Sequence, residues 1–152
     1  MIVYRLAKKR FCNDLSGKGA ELAGGRWNSK GMAMLYTSQS RALCLAEIAV
    51  HLPFGIVPIE YYLVEIDIPD SASITEINAQ QLKKDWNSFP HSSETQQLGN
   101  DFIFKGKALV LKVPSAVVQG DFNYLINPKH AEFQQIKIKN TELFSFDERL
   151  FK

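Results

Sequence analysis

The sequence has little of what defines metal-binding or disulfide-stabilised proteins. It contains two cysteines and three histidines in 152 residues, and none of them stands at the short spacings typical of metal ligands. Cys12 and Cys44 do not make a disulfide framework, and nothing in the spacing supports a catalytic Cys–His pair. The sequence therefore predicts neither a metal site nor a prosthetic group.

Long apolar runs and a strong net charge are also missing. No run reaches the roughly 18 apolar residues of a membrane span, and the first eleven residues are too basic and too briefly apolar for a secretory signal. The formal charge is +2, which does not call for a nucleic-acid partner. We therefore expect a cytoplasmic protein without membrane contact or direct nucleic-acid binding.

The composition that is present is that of a folded domain. Hydrophobic residues make up 45 % and charged residues 22 % of the chain, which is typical of globular proteins and not of disordered ones. The length suits one domain, residues 1–152, because no repeat, linker or low-complexity run divides it. Short strand patterns mixed with helices, without regular βαβ alternation, predict an α+β fold with a mixed or largely antiparallel sheet.

Local patterns place the elements of this fold. Predicted strands cover residues 1–6, 32–37, 59–68, 108–113, 122–126 and 135–138, and the tail 143–151 is predicted as an edge strand. Predicted helices cover residues 42–50, 80–86 and 93 to about 104, the last opened by a Ser-Glu-Thr-Gln capping box. Residues 13–25 read as a loop that includes at most one helical turn.

A single charge in an apolar helix is the strongest chemical signal. Between residues 42 and 50 every residue except Glu47 is apolar, so the helix lacks a polar face and is predicted to be buried nearly all round. A buried carboxylate needs a cationic partner or a proton, unless it faces a cleft. Two interpretations stay open: Glu47 forms a structural salt bridge, or it lies at the floor of a functional site.

Two further segments are candidates for binding. In the glycine-rich loop before the second strand, Arg26 offers a planar fork of donors for an anion and Trp27 offers a flat apolar surface. A turn with a packed tryptophan and a solvated arginine fits this loop equally well. Ser115 follows a strand end, where it is either a presented binding side chain or the hydroxyl of a local turn.

Taken together, several short motifs resemble the RES domain family. They are Tyr4-Arg5, GGRWN at 24–28, Gly31, LYTS at 35–38, LAE at 45–47, VPSAVV at 113–118 and NYLINPKH at 123–130. The family is named after an Arg, a Glu and a Ser, which here match Arg26, Glu47 and Ser115. The match runs from Tyr4 to about residue 149 and is loose between residues 70 and 100.

This resemblance implies a fold and a function. The family is similar to ADP-ribosyltransferases, with a split β-sheet core whose cleft holds NAD. It implies a toxin of a type II toxin–antitoxin pair, partnered by an Xre-type helix-turn-helix antitoxin. NAD would be the substrate, consumed by hydrolysis or phosphorolysis of the nicotinamide–ribose bond or by ADP-ribosyl transfer to a protein.

The resemblance also implies roles for residues. Glu47 would stabilise the ribosyl cation, Arg26 would hold the pyrophosphate, and Ser115 would bind the nicotinamide end or the ribose. Tyr36 would stack on the nicotinamide ring, while Arg5 would bind phosphate or pair with Glu47. The other expected substrate-binding residues are Trp27, Asn28, Ser38 and Asn123.

Two rival classes remain at this point. One is a toxin that acts on RNA, which the weak net charge disfavours. The other is a non-enzymatic binding module in which Glu47 and Arg26 form a buried ion pair. The acceptor, the antitoxin interface and the oligomeric state, a homo-oligomer included, are left open by the sequence.

Overall fold

The computed structural model describes residues 1–152 and contains seven strands and three helices. The strands are β1 Ile2–Lys8, β2 Leu35–Ser38, β3 Tyr61–Asp67, β4 Ile74–Glu76, β5 Val110–Pro114, β6 Phe122–Ile126 and β7 Lys137–Phe144. The helices are α1 Lys18–Ala23, α2 Arg41–Ala49 and α3 Ser93–Lys105. None of the helices, of which α3 with 13 residues is the longest, has the length and apolar character to cross a membrane.

All seven strands belong to one mixed sheet in the order β4-β5-β6-β2-β1-β3-β7. Neighbouring strands are antiparallel except for β4 and β5, which are parallel. The predicted α+β class with a mixed sheet is therefore confirmed.

The sheet is divided into two halves at the junction of β1 and β2. β1 pairs with β3 along its whole length, from Ile2 opposite Asp67 to Lys8 opposite Tyr61. In contrast, β1 and β2 share a single registered pair, Tyr4 opposite Ser38. Beyond that pair the two strands diverge, so the sheet forks between its β4-β5-β6-β2 half and its β1-β3-β7 half.

Both faces of the sheet are covered by apolar clusters. Along β5, Val110 belongs to one cluster, whereas Leu111 and Val113 belong to the other. β6 shows the same division between Ile126 and Leu125. Because successive strand side chains point to opposite faces, this alternation places one core on each side of the sheet.

Several predicted elements match the structure closely. β6 has the predicted bounds, β3 and β5 lie within two residues of theirs, and α1 supplies the single helical turn allowed between residues 13 and 25. α3 begins at the predicted residue, although its N-cap is Ser92, whose hydroxyl accepts a hydrogen bond from the Thr95 amide. β2 begins at residue 35 instead of 32.

Other predicted elements are wrong. Residues 80–86 do not form a helix, because Leu82 adopts an extended conformation with φ −99° and ψ 157° between two separate turns. The strand predicted at 135–138 is the longer β7, and the tail after it forms a 3₁₀ turn at Glu148–Phe151 instead of an edge strand. The short edge strand β4 was not predicted.

The burial of α2 is also different from the prediction. Only Leu43 and Cys44 are buried, and Val50 just after the helix is 58 % exposed. α2 packs mainly on β1 and β2 at the fork. Its apolar sequence therefore does not mean burial all round.

Candidate active site at the sheet fork

A cleft of about 290 Å³ lies where β1 and β2 diverge, with walls from β1, β2, β6 and α2. Of the nine residues that the sequence analysis assigns to a site, five line this cleft: Arg5, Tyr36, Ser38, Glu47 and Asn123. The fork of the sheet therefore brings together side chains that are far apart in the chain.

Glu47 is held through one of its two carboxylate oxygens. Oε1 accepts hydrogen bonds from the Ser115 hydroxyl at 2.8 Å and from the Asn123 amide at 2.7 Å. The carboxylate forms no ion pair, so the salt-bridge interpretation, with Arg5 or Arg26 as partner, is wrong. Oε2 has no protein partner, which leaves it available to a ligand in the cleft.

Ser115 is the hydroxyl of a local turn, one of the two roles that the sequence left open, and it also contacts Glu47. Its hydroxyl accepts hydrogen bonds from the amides of Val117 and Val118, at 3.1 and 3.0 Å, in a turn just past β5. The same hydroxyl donates to Glu47. Ser115 is 4 % exposed and does not line the cleft, so it orients the carboxylate from behind.

A cross-strand pair orients the second donor to Glu47. Ser38 and Asn123 lie opposite each other in the β2–β6 register. The Ser38 hydroxyl donates to Asn123 Oδ1 at 2.9 Å, which turns the amide nitrogen toward the carboxylate. The position of Glu47 is thus fixed by residues of three different strands and turns.

The glycine-rich loop is fastened to β2 by a buried asparagine. Asn28 is fully buried; its amide donates to the main-chain oxygens of Ala20 and Met32, and its Oδ1 accepts from the Tyr36 hydroxyl at 2.7 Å. The Tyr36 oxygen in turn accepts from the Trp27 amide at 3.0 Å. These bonds leave the ring of Tyr36 as part of the cleft wall, while burial raises the pKa of its hydroxyl.

Two residues of the same loop are placed outside the cleft. The Trp27 ring is 3 % exposed and packs in the core against Trp86, with ring centroids 6.2 Å apart. Asn28 is fully buried, and both polar atoms of its side chain are hydrogen-bonded within the protein. The expectation that these two side chains contact a ligand is not met by the geometry, since both are part of the loop's support.

Arg26 holds a neighbouring segment beside the site. Its Nη1 donates to the main-chain oxygens of Trp86 and Ser88, both at 2.9 Å. Burial lowers the pKa of its guanidinium, and the nearby Glu47 carboxylate acts in the opposite direction. Burial and Arg26 also lower the pKa of His91 in the adjoining turn. Arg26 is thus close to the cleft without lining it.

Arg5 is a cation of the cleft wall that has no carboxylate partner. Its Nη1 donates to the main-chain oxygens of Asp14, at 2.6 Å, and Phe11, at 3.4 Å. Burial lowers the pKa of its guanidinium. A partly buried guanidinium without a counter-ion is suited to an anionic ligand.

The sequence analysis did not assign His51 or Cys44 to the site, although both line the cleft. His51 lines the cleft four residues after Glu47, and that i, i+4 spacing was the signal that could have placed it on the same side of the helix. Cys44 also lines the cleft; burial raises the pKa of its thiol to about 12, so it is not a thiolate nucleophile. No group of three or more His, Cys, Asp or Glu side chains is arranged to hold a metal ion.

A forked mixed sheet with a carboxylate fixed in the fork defines an α+β protein with a candidate catalytic cleft. The chain belongs to the RES domain family, whose family model matches residues 2–147. The resemblance noted in the sequence is thereby confirmed.

Known relatives match along nearly the whole chain. The chain is 37 % identical over 148 residues to the Prs ADP-ribosylating toxin of Sphingobium sp. strain YBL2, covering 96 % of this chain and 92 % of the relative. It is 36 % identical to Toxin Res of Yersinia enterocolitica, with 99 % of both chains covered. The crystal structure of the M. tuberculosis MbcT-MbcA toxin-antitoxin complex contains a similar fold, with a TM-score of 0.76, 19 % identity, and 99 % and 86 % of the two chains covered.

Proposed function

We propose that this protein is the toxin of a toxin–antitoxin pair and consumes NAD by cleaving the bond between nicotinamide and ribose. The observation that carries the proposal is Glu47, a carboxylate with one oxygen fixed by Ser115 and Asn123 and the other free toward the cleft. The relatives named Toxin Res and Prs ADP-ribosylating toxin support the same class of activity.

The chemistry asks for a fixed negative charge beside the sugar. When the C1′–N bond breaks, its electron pair goes to the nicotinamide nitrogen, so nicotinamide leaves neutral and positive charge develops on the ribose. A carboxylate that accepts a hydrogen bond from a ribose hydroxyl stabilises that charge more in the transition state than in the ground state. Glu47 Oε2 is the atom for this role, and no strong general acid is needed.

The remaining residues divide into binding and positioning groups. Arg5 in the wall and Arg26 beside it supply positive charge for the pyrophosphate, and the ring of Tyr36 in the cleft wall supplies a surface for the nicotinamide ring. Ser115, Asn123 and Ser38 act through Glu47 as positioning residues. This revises the role of Ser115, which the resemblance placed on the substrate.

The acceptor distinguishes two versions of the reaction. Water or phosphate attacking C1′ gives hydrolysis or phosphorolysis, and a protein side chain gives ADP-ribosyl transfer. Transfer is the second candidate, because a relative 37 % identical to this chain is named as an ADP-ribosylating toxin. The non-enzymatic alternative predicted a Glu47–Arg26 ion pair, whereas the two side chains are hydrogen-bonded to other partners, which favours the enzyme.

A toxin that depletes NAD in the cytoplasm requires restraint. We propose an antitoxin partner of the Xre helix-turn-helix type that covers the mouth of the cleft or inserts a segment into it. The similar fold solved as a toxin-antitoxin complex supports a partner of this kind. DNA contact would then belong to the antitoxin, since this chain carries a net charge of only +2.

The test is an assay of nicotinamide release from NAD, in reactions with and without phosphate. Chromatography measures the released nicotinamide. Glu47→Gln keeps an oxygen that accepts from Ser115 and Asn123, so we expect a folded protein whose rate falls by about 10²–10³-fold, as for loss of a transition-state electrostatic contact. Glu148→Gln, a change at a side chain 69 % exposed, is the matched control and should leave release unchanged. Equal rates in wild type and Glu47→Gln would contradict the proposal.

A further inference from the structure

His51 is a polar side chain of the cleft that belongs neither to the binding groups nor to the positioning groups. It lies four residues after Glu47, lines the same cleft and stands just past the C-terminal end of α2. The residue is exposed and takes part in no ion pair. The hydrogen bonds that fix the other cleft side chains do not include its imidazole. Both ring nitrogens are therefore free to contact water or a ligand.

The other side chains of the cleft that could take a proton are already engaged. Glu47 is held through Oε1 and, in the proposed reaction, offers Oε2 to the ribose. The hydroxyls of Thr37 and Ser38 donate to acceptors on β6, at 2.6 and 2.9 Å. Burial raises the pKa of the Cys44 thiol to about 12 and that of the Tyr36 hydroxyl above its usual range, so both stay protonated. An imidazole, in contrast, is the side chain best suited to take up and release a proton near neutral pH.

Charged groups from several elements surround His51. Glu47 lies on the same helix, and Arg5 lies on β1 in the opposite wall of the cleft. Arg26 and His91 lie beside it, since burial, Arg26 and then His51 lower the pKa of His91. His51 therefore shares the charged environment of the Glu47 carboxylate and is not part of a separate surface.

We propose that His51 is the general base that takes the proton from the water molecule attacking C1′. The inference rests on the proposed function and assigns the one proton that the cleavage of NAD releases. The bond from the water oxygen to C1′ forms as the C1′–N bond breaks, and the electron pair of that bond leaves with neutral nicotinamide. The water proton passes to a ring nitrogen of His51, which then returns it to solvent, and ADP-ribose is the second product.

The first test is the rate of nicotinamide release without phosphate, so that water is the acceptor. His51→Gln keeps a polar side chain that cannot take a proton, and the exposed position should leave folding unaffected. We expect kcat to fall by about 10²-fold, the lower end of general base catalysis, with KM for NAD nearly unchanged. Val50→Ala, at the preceding residue, which is 58 % exposed and does not line the cleft, is the matched control and should keep the wild-type rate.

Two further readouts separate a general base from a residue with a structural role. Wild-type hydrolysis should fall on the acid side of its pH profile, because a protonated imidazole cannot take a proton, and His51→Gln should lose this fall. Sodium azide supplies an anion that attacks C1′ without a proton to lose. Azide should therefore raise nicotinamide release by His51→Ala by about tenfold or more, and the wild-type rate much less. Mass spectrometry should detect ADP-ribosyl azide as the product.

The inference and the proposed function fail in different ways. A wild-type rate in His51→Gln would overturn the inference. A reduced rate that keeps the wild-type pH profile and is not raised by azide would overturn it too, because His51 would then only support the structure. Both results leave the proposed cleavage intact, since wild type still releases nicotinamide. If wild type releases no nicotinamide with water, phosphate or azide, the proposed cleavage is wrong and the role of His51 is overturned with it.

Discussion

In the glycine-rich loop, Asn28 has a structural role that the sequence motif alone does not indicate. Asn28 joins three segments, because its amide binds main-chain oxygens on both sides of the loop and its oxygen binds Tyr36. A side chain buried completely and bonded through both polar atoms is costly to remove, since its partners are left without those hydrogen bonds in a partly buried environment. Asn28 therefore contributes to the site by holding the wall in place.

We predict that Asn28→Ala lowers the free energy of unfolding by about 2–4 kcal/mol, because three part-buried polar groups lose the partner that the buried Asn28 side chain provides. Urea denaturation monitored by circular dichroism measures this change. Asn13→Ala, at an exposed asparagine, should stay within about 0.5 kcal/mol of wild type. A cost no larger for Asn28 than for Asn13 would show that the loop is held by other contacts.

Glu47 and Trp27 show what could be predicted at this scale. Glu47 stood out because a lone charge in an apolar helix has few explanations, and the structure decides for the cleft over the salt bridge. For Trp27 the sequence did not distinguish between two positions, because a tryptophan in a glycine loop is equally compatible with a ligand surface and with the core. Only the position of Trp86, 59 residues away along the chain, decides for the core.

At the scale of elements, α3 supports the site by close approach to the loop. A Cβ atom built on Gly99 would lie 1.6 Å from the main-chain oxygen of Trp27, so no other residue fits at this point of the helix. Gly19 in α1 has nothing within 4 Å of its Cβ position. Replacement of the two helical glycines should therefore change the free energy of unfolding in opposite directions.

Gly99→Ala should destabilise the protein by about 3 kcal/mol or more, because the overlap with Trp27 exceeds the helix-propensity gain of about 1 kcal/mol. Gly19→Ala should instead raise the free energy of unfolding by about 0.5–1 kcal/mol. Chemical denaturation of both variants compares the same substitution in two helices. A neutral Gly99→Ala would mean that α3 shifts without loss of its packing.

The elements that were predicted correctly are those whose own residues specify their secondary structure. β3, β5 and β6 show apolar runs bounded by turn residues, and α3 has a serine cap at one end and Gly106 in a left-handed conformation at the other. β4 is three exposed residues whose pairing with β5 depends on tertiary contacts. The outer face of α2 was misjudged because apolar composition does not specify what covers a helix.

At the scale of the whole molecule, the two halves of the sheet share few strand-pairing contacts at the fork, which is where the site lies. Arg5 belongs to one half, and Ser38 and Asn123 belong to the other. Their direct strand connection at this point is the single pair Tyr4–Ser38. A ligand that contacts both walls would add a link between the halves that the polypeptide itself lacks.

We therefore predict that NAD stabilises the Glu47→Gln protein, which binds NAD without consuming it. At a concentration of 100 times Kd the gain is about 2.7 kcal/mol, equivalent to a rise in Tm of about 5–10 °C for a chain of this size. Differential scanning calorimetry measures the shift. Amide hydrogen exchange should show NAD-dependent protection in β1 and also in β2 and β6, because both halves contribute to the cleft.

Adenosine at the same concentrations is the control ligand, since it lacks both the pyrophosphate and the nicotinamide ribose that would contact the walls of the Glu47 cleft. Protection confined to one half of the sheet would show that the ligand occupies one wall only. In that case the fork would be a property of the fold and not the means by which substrate is held. Protection of both halves by NAD and of neither by adenosine would make the divided sheet itself the substrate clamp.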